Sequence, residues 1–266
     1  MACYHLQFSN GGNRAHMNES STSLAKMLAI LELFTVDHYA WTVEEIAQEL
    51  GYTPSSAYRY VRELLRSGLL GRIPGAAYVV GAKVIELEAL IDQADPVTMA
   101  ARPVLRELAA ETGCACLLSN VYGDRLINVL HVPGLEEYAL TYVRGQPLPW
   151  FRGAPGKSVL SAMPNARVRK LFDKHGPEDR SDTEWAAIRA AIKRIREDGY
   201  CMSRGELDPD AVGFGAPVVP EDEVIGSVSL VCSSKRAAFL NADVIGTLVM
   251  TKAQDIATKI RSFSAG

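Results

Sequence analysis

The sequence predicts an α+β protein: an N-terminal winged helix-turn-helix, a linker helix, and a C-terminal domain in which an antiparallel sheet is flanked by helices. Three observations carry this. Between residues 42 and 81 two short helical patterns meet at a tight turn and run into a hairpin at Pro74-Gly75. From residue 82 to 113 the pattern is helical again, with Asp95-Pro96 as an internal restart. Beyond that, strand-like runs come first, helices fill the middle, and strands return before a long closing helix.

Residues 1–21 show no periodicity, and Met17 directly after His16 resembles a cloning junction, so this arm is expected to be disordered and partly vector-derived. Ser23 is placed to cap a helix over residues 24–35, with Leu24, Met27, Leu28, Leu31 and Phe34 on one face. Thr42 and Glu45 have capping-box spacing ahead of Val43, Ile46, Ala47 and Leu50, and Gly51 suits the left-handed residue that stops this helix. Thr53 and Pro54 then start a second helix, whose apolar stripe is expected to be Tyr58, Val61, Leu64 and Leu65. Ser55, Ser56, Arg59 and Tyr60 fall on the other side, crowded into the first turns. Hydroxyls, a guanidinium and a phenol at an exposed N-terminal tip are what a recognition helix presents to base edges in the major groove. The hairpin over residues 69–80 reads as the wing, with Arg72 at a phosphate. The expected contacts to double-stranded DNA are therefore Thr53, Ser55, Ser56, Arg59, Tyr60 and Arg72, within a domain of residues 22–81. The competing reading is a helical hairpin and ribbon that merely pack.

Composition limits the alternatives. A formal charge of -3 over 266 residues excludes a generally basic surface, so any nucleic-acid face is local. Between residues 53 and 73 stand four arginines (59, 62, 66 and 72) and one acid, Glu63. A small positive island on an acidic body suits selective binding better than coating. The five cysteines (3, 114, 116, 201 and 232) contain no CxxC pair, which fits a reducing cytoplasm. No signal peptide and no apolar run long enough to span a bilayer is present, so a cytoplasmic protein without membrane contact is expected.

The linker helix is expected over residues 82–95, carrying Val84, Ile85, Leu87, Leu90 and Ile91. The second domain then spans residues 96–266. Its first helix contains Pro103, where a kink or break is expected. Strands are expected over residues 114–122, 126–132 and 138–143, helices over 156–163, 166–175 and 183–198, strands again over 200–204, 214–219 and 224–231, and a helix over 241–262.

Motifs for catalysis are weak. Gly153-Ala154-Pro155-Gly156-Lys157-Ser158 ends like a phosphate-binding loop, but Phe151 stands where that loop needs its first glycine. The glycine-rich turn still feeds a helix whose free N–H groups suit a carboxylate or carbonyl; a plain strand-to-helix connection is the alternative. His38, His131 and His175 have no partners at metal-ligand spacing, and no nucleophile elbow occurs. No cofactor, no metal and no enzymatic activity are expected.

Five pieces in order resemble the IclR family of bacterial transcriptional regulators: LAKMLAILELF, TVEEIAQELGYTPSSAYRYVRELLRSGLL, RPVLRELAAETG, GQPLPWFRGAPGKSVLSAMP and ELDPDAVGFGAPVVPEDEVIGSVSLV. The resemblance covers residues 24–260 and implies a GAF-like effector domain, a dimer or tetramer, and control by a small organic or aromatic acid of a catabolic operon. Where members commonly read Lys-Ser-Thr at the recognition helix, this chain has Ser55-Ser56-Ala57. The resemblance places the effector site at Ala154, Ser203, Gly213 and Ser229, with Phe151 where a histidine is common and Trp150 and Arg152 beside it. Val231 replaces a second strand serine, and Pro155 lacks the N–H that this position supplies elsewhere. These departures imply a less polar, more aromatic pocket and a larger or aromatic effector, with Arg152 available to a carboxylate. The alternative is an enzyme or ligand-binding protein whose N-terminal unit serves only for oligomerisation.

Overall fold

The computed structural model describes residues 22–135, 141, 142, 144–178 and 180–264. The chain divides into two compact units between Ile91 and Asp92.

In the N-terminal unit α1 (Ser23–Ala29) is capped by Thr22, whose Oγ1 accepts from the Ala25 N–H at 3.2 Å. The helix does not continue to residue 35 as the periodicity suggests: it tightens into a 3-10 turn, Ile30–Leu33. Such tightening is a common helix ending, and here Ile30 is fully buried while the indole N–H of Trp41 donates to the Leu33 carbonyl at 3.1 Å. Next come α2 (Val43–Leu50), with its capping box formed in both directions and Gly51 left-handed at φ 66, and α3 (Pro54–Arg66). The buried stripe of α3 is Ala57, Tyr60, Val61 and Leu64. That corrects the expected assignment of the two tyrosines. Tyr58 faces outward and donates to Glu44 at 2.7 Å, whereas the ring of Tyr60 is in the core, edge-on to Tyr52. The reason is Ala57: counted from this fully buried alanine, the i, i+3, i+4, i+7 face runs through Tyr60 and excludes Tyr58. The strands β1 (Leu70–Arg72) and β2 (Tyr78–Val80) pair antiparallel as the wing, and Trp41 extends the ladder through Tyr78. α4 (Ala82–Ala94) crosses the division and buries none of its side chains.

The C-terminal unit opens with α5 (Pro96–Thr112), where Asp95 accepts from the Thr98 N–H at 2.8 Å. Pro103 does not break it. Pro103 and Met99 both face solvent, so the Met99 carbonyl that loses its helical partner can be hydrated. Six strands form one antiparallel sheet: β3 (Ala115–Tyr122), β4 (Arg125–Val132), β5 (Pro147–Leu148), β6 (Cys201–Arg204), β7 (Ala211–Val218) and β8 (Gly226–Ser233), in the order β5-β4-β3-β8-β7-β6. Pro147-Leu148, turn-like in sequence, pairs with β4 at the sheet edge, where a proline costs no ladder bond. Most of the strand expected over residues 138–143 lies outside the described residues; Thr141 and Tyr142 belong to no strand.

Alternation along the strands gives the sheet two different faces. Cys116, Leu118, Val212, Phe214, Ala216, Val228 and Leu230 bury against α5 and the closing helix α10 (Ala242–Ser264) in the main apolar core. Leu117, Gly213, Gly215 and Val231 point the other way, towards α6 (Gly153–Ala162). Around α6 lie α7 (Asn165–His175) and α8 (Asp182–Asp198), and the short α9 (Ser234–Ala237) follows β8. Two glycines let α6 seat so closely. A Cβ on Gly215 would lie 2.8 Å from Ser158 Oγ and 3.0 Å from the Ala154 carbonyl, and one on Gly156 would lie 2.4 Å from the carbonyls of both Pro149 and Trp150.

Gly156→Ala is therefore expected to lose about 2–3 kcal/mol in urea unfolding, the cost of an overpacked site. Gly51→Ala, left-handed but with nothing within 4 Å of the added carbon, should lose only about 1 kcal/mol. A Gly156 variant no less stable than the Gly51 variant would mean that α6 can simply retreat.

Candidate functional site

The tip of α3 is a hydroxyl cluster. Thr53, the N-cap, has its Oγ1 within 3.4 Å of the Ser56 N–H, 3.0 Å of Ser56 Oγ and 3.3 Å of Ser55 Oγ. Thr53 and Ser55 are exposed and Ser56 is half-buried. Behind them Arg59, Arg62 and Arg66 are all exposed along α3, and Arg72 is exposed at the end of β1. Arg62 and Arg66 share the one local carboxylate, Glu63, at 3.5 and 3.6 Å. Arg59 lies against Tyr60, its Nη2 at 3.5 Å from the phenol oxygen. Hydrogen bonds from Ser23 and then Arg59 hold that phenol below its ordinary range. Of the six expected DNA contacts, five are solvent-facing or partly so; Tyr60 is 6% exposed and is a core residue. Tyr58, Arg62 and Arg66 share the solvent-facing side of α3 and were not among the expected contacts; helical spacing from Ala57 is the signal that finds them.

In the second unit, a cavity of about 40 Å³ lies between the N-terminus of α6 and β3, β6, β7 and β8. Ala154, Ser203 and Gly213, three of the residues expected at the effector site, line it. Trp150, Phe151, Arg152 and Ser229 are not among its lining residues. The Trp150 indole is buried elsewhere and donates to the Asp124 carbonyl at 2.8 Å. Phe151 packs edge-on against Phe172 of α7. These rings belong to the apolar cluster under α7 and α8, so they add no aromatic wall. The aromatic residue in the lining is Tyr142. Ser229 is fully buried between β7 and β3 with its hydroxyl unpartnered.

The cavity contains two acids that the sequence reading missed, Glu206 and Asp208. Asp208 is 7% exposed and accepts from both the hydroxyl and the N–H of Thr141. Glu206 closes the helix end. Its Oε2 accepts from the Gly153 N–H at 2.8 Å, its Oε1 from Lys157 Nζ at 2.5 Å, and its carbonyl from Arg152. The glycine-rich turn thus does hold a carboxylate at the positive end of a helix, and the carboxylate is the protein's own. Lys157, which in sequence looked like the lysine of a phosphate loop, is its counter-charge. Asn128 completes the polar lining, accepting from Ser119 at 2.6 Å and donating to the Tyr142 carbonyl at 2.8 Å. Among the described residues no group of three His, Cys, Asp or Glu side chains is placed to hold a metal, and no helix is long and apolar enough to cross a membrane.

A winged helix-turn-helix with an arginine-bearing recognition helix, followed by a sheet domain with a mainly apolar cavity carrying a few polar groups, is the build of a DNA-binding transcriptional regulator with a ligand-sensing domain. Comparison with known proteins agrees. Residues 23–74 match the IclR helix-turn-helix domain, and residues 90–258 match the bacterial transcriptional regulator IclR C-terminal domain. The chain belongs to the IclR family of bacterial transcriptional regulators; it is a regulator and not an enzyme. It is 26% identical over 220 residues to the HTH-type transcriptional regulator KipR of Bacillus subtilis, covering 80% of this chain and 87% of that one. It is 23% identical over 219 residues to the regulator TtgV of Pseudomonas putida, covering 81% and 83%. Among solved structures, an IclR homolog from Microbacterium hydrocarbonoxydans complexed with 4-hydroxybenzoate superposes with a TM-score of 0.75 at 22% identity, covering 91% of this chain and 100% of that one. An IclR-family regulator from Brucella abortus gives 0.73 at 21%, covering 90% and 92%.

Glu206→Gln should cost about 1 kcal/mol in unfolding stability, because a charged acceptor is lost from a pair that is only partly shielded. Equilibrium denaturation at neutral pH reads this directly; an unchanged midpoint would show the clamp to be energetically idle.

Proposed function

We propose that this protein is a ligand-responsive repressor or activator of a catabolic operon, acting as a homodimer or tetramer on a double-stranded operator, with a small organic or aromatic acid as effector. The observation that carries the DNA-reading half is the exposed tip of α3, where Thr53, Ser55, Ser56 and Arg59 stand clear of the core. On this reading Ser55, Ser56 and Arg59 meet base edges while Thr53 and Arg72 meet phosphates. Two copies would set two recognition helices into half-sites about one helical turn apart. Exposed Val84, Ile85, Leu87, Leu90 and Ile91 on α4 support a second copy, since an apolar helix surface of this kind gains by being covered.

The effector half rests on Glu206. At about 40 Å³ the cavity is much smaller than an engineered cavity of ~150 Å³ that holds benzene. An aromatic acid therefore needs space that Glu206 now fills, and its carboxylate can take over the Gly153 N–H and Lys157 when Glu206 leaves. Exchanging one carboxylate for another keeps the helix end and the lysine neutralised throughout. The 4-hydroxybenzoate held by the Microbacterium protein has this chemistry, a carboxylate on one ring. Coupling to DNA then requires only that the two arrangements of the site differ in effector affinity, a difference typically worth ~1–3 kcal/mol.

On the gene's own upstream region, affinity should fall ~10³–10⁵-fold between about 50 and 200 mM salt if ~6–10 phosphates are neutralised. In gel-shift titrations Arg59→Ala should lose discrimination against random duplex, while Arg72→Ala weakens both DNAs alike. The same loss on both DNAs for both variants would remove these roles. In calorimetric titrations with 4-hydroxybenzoate, Glu206→Ala should bind about tenfold more tightly than the unmodified protein, a gain of ~1.4 kcal/mol. Weaker binding would make Glu206 a partner of the ligand instead of its competitor.

A further inference from the structure

β3 and β8 run side by side in the middle of the sheet, with Ala115 opposite Val231. One residue further in that register, Cys114 comes opposite Cys232, and the two thiols are in hydrogen-bond contact. Residues opposite one another on antiparallel strands have Cα atoms about 4.5–5.5 Å apart, within the roughly 4.4–6.8 Å that a disulfide spans. Both thiols are reduced and buried. A third group completes the arrangement. Arg236, on the surface helix α9, donates from Nε to Cys114 Sγ at 3.3 Å and from Nη2 to the Thr112 carbonyl, so its guanidinium is fixed beside the sulfur. The Cys114 N–H is tied to Thr112 Oγ1 at 3.3 Å. Neither the DNA-reading surface nor the effector cavity uses any of these groups.

The hydrogen bond from Cys232, reinforced by Arg236 and Thr112 and opposed by burial, holds the Cys114 thiol well below its ordinary range, which favours the thiolate. Two other buried thiols are set the other way. Burial, together with the charge of Cys114, pushes Cys116 well up, and burial pushes Cys201 up to about 11.

We propose that Cys114 and Cys232 form a thiol-oxidation site, in which Cys114 reacts with a hydroperoxide and Cys232 resolves the product as an intramolecular disulfide. In the first step Cys114 Sγ attacks the outer peroxide oxygen: an S–O bond forms, the O–O bond breaks, and the other oxygen takes a proton and leaves as an alcohol, or as water from hydrogen peroxide. In the second, Cys232 Sγ attacks Cys114 Sγ; the S–S bond forms, and the hydroxyl departs as water with the Cys232 proton. Two electrons pass from the thiol pair to the peroxide. The bridge ties the start of β3 to β8 next to Val231, one of the residues that line the cavity.

The test uses the reduced full chain at neutral pH, treated with hydrogen peroxide, blocked with N-ethylmaleimide and mapped by peptide mass spectrometry without reductant. The expected product lacks two hydrogens, joins the peptides of Cys114 and Cys232, and reverts with dithiothreitol. Cys232→Ala should leave a sulfenic acid at Cys114 that dimedone captures. Arg236→Gln should slow oxidation of Cys114 about tenfold, as the thiolate fraction falls. Unmodified thiols after oxidation, a bridge from Cys114 to any other cysteine, or an Arg236 variant as fast as the parent would each overturn the assignment.

Discussion

Burying one stripe of α3 decides everything that helix can show to solvent. Ala57, Tyr60, Val61 and Leu64 fill the centre of the N-terminal core, and with the helix fixed on that face Ser55, Arg59, Arg62 and Arg66 have only the outside left to them. The tip is held as firmly as the body. Thr53 satisfies one of the free N–H groups of the first turn, Pro54 removes another, and the left-handed Gly51 that ends α2 fixes the turn from its other side. A polar surface used for recognition is useful only if it does not have to be ordered at the moment of binding, and here the order comes from the apolar side.

The second unit solves a related problem with glycine. α6 lies against the sheet because Gly215 carries no side chain, Gly156 lets its first turn fold onto the carbonyls of Pro149 and Trp150, and that closeness brings the turn within reach of Glu206. The outcome is a helix end whose positive charge is already matched. A ligand that bound beside Glu206 would have little space, and one that replaces it inherits two partners, the Gly153 N–H and Lys157. On this account the site is occupied in the absence of effector and switched by exchange, which lets a small acid alter the packing around β6 and β7 while the helix end and Lys157 keep a carboxylate partner and the displaced Glu206 is met by water.

Much of this was legible in the sequence, and what was not has physical causes. Caps are local, so Thr42, Glu45, Gly51, Thr53 and Asp95 fall where spacing puts them. The two tyrosines of α3 were assigned to the wrong faces because each is amphipathic, and the residue that decides between them is an alanine, which carries little weight in a search for apolar residues. The aromatic loop at Trp150-Phe151 suggested a pocket wall, but both rings turn towards the α7 and α8 cluster, a choice that depends on helices far along the chain. Glu206 could not be paired with Lys157 by reading: 49 residues separate them, and only the fold brings them to 2.5 Å. The sequence motif flagged the right helix end, while the group seated on it came from the loop after β6.

The claim on which the account turns is that the α3 tip enters a groove of duplex DNA. Ser55→Cys, made in a chain whose Cys3 and Cys114 are replaced by Ser, puts a thiol at that exposed tip to which an iron chelate that cleaves nearby DNA can be attached, while Cys116, Cys201 and Cys232 are buried. With the operator fragment bound, cleavage should cluster on both strands at two places about one helical turn apart, centred in the major groove. Weak, even cleavage along the fragment, no different from that of the free chelate, would contradict it.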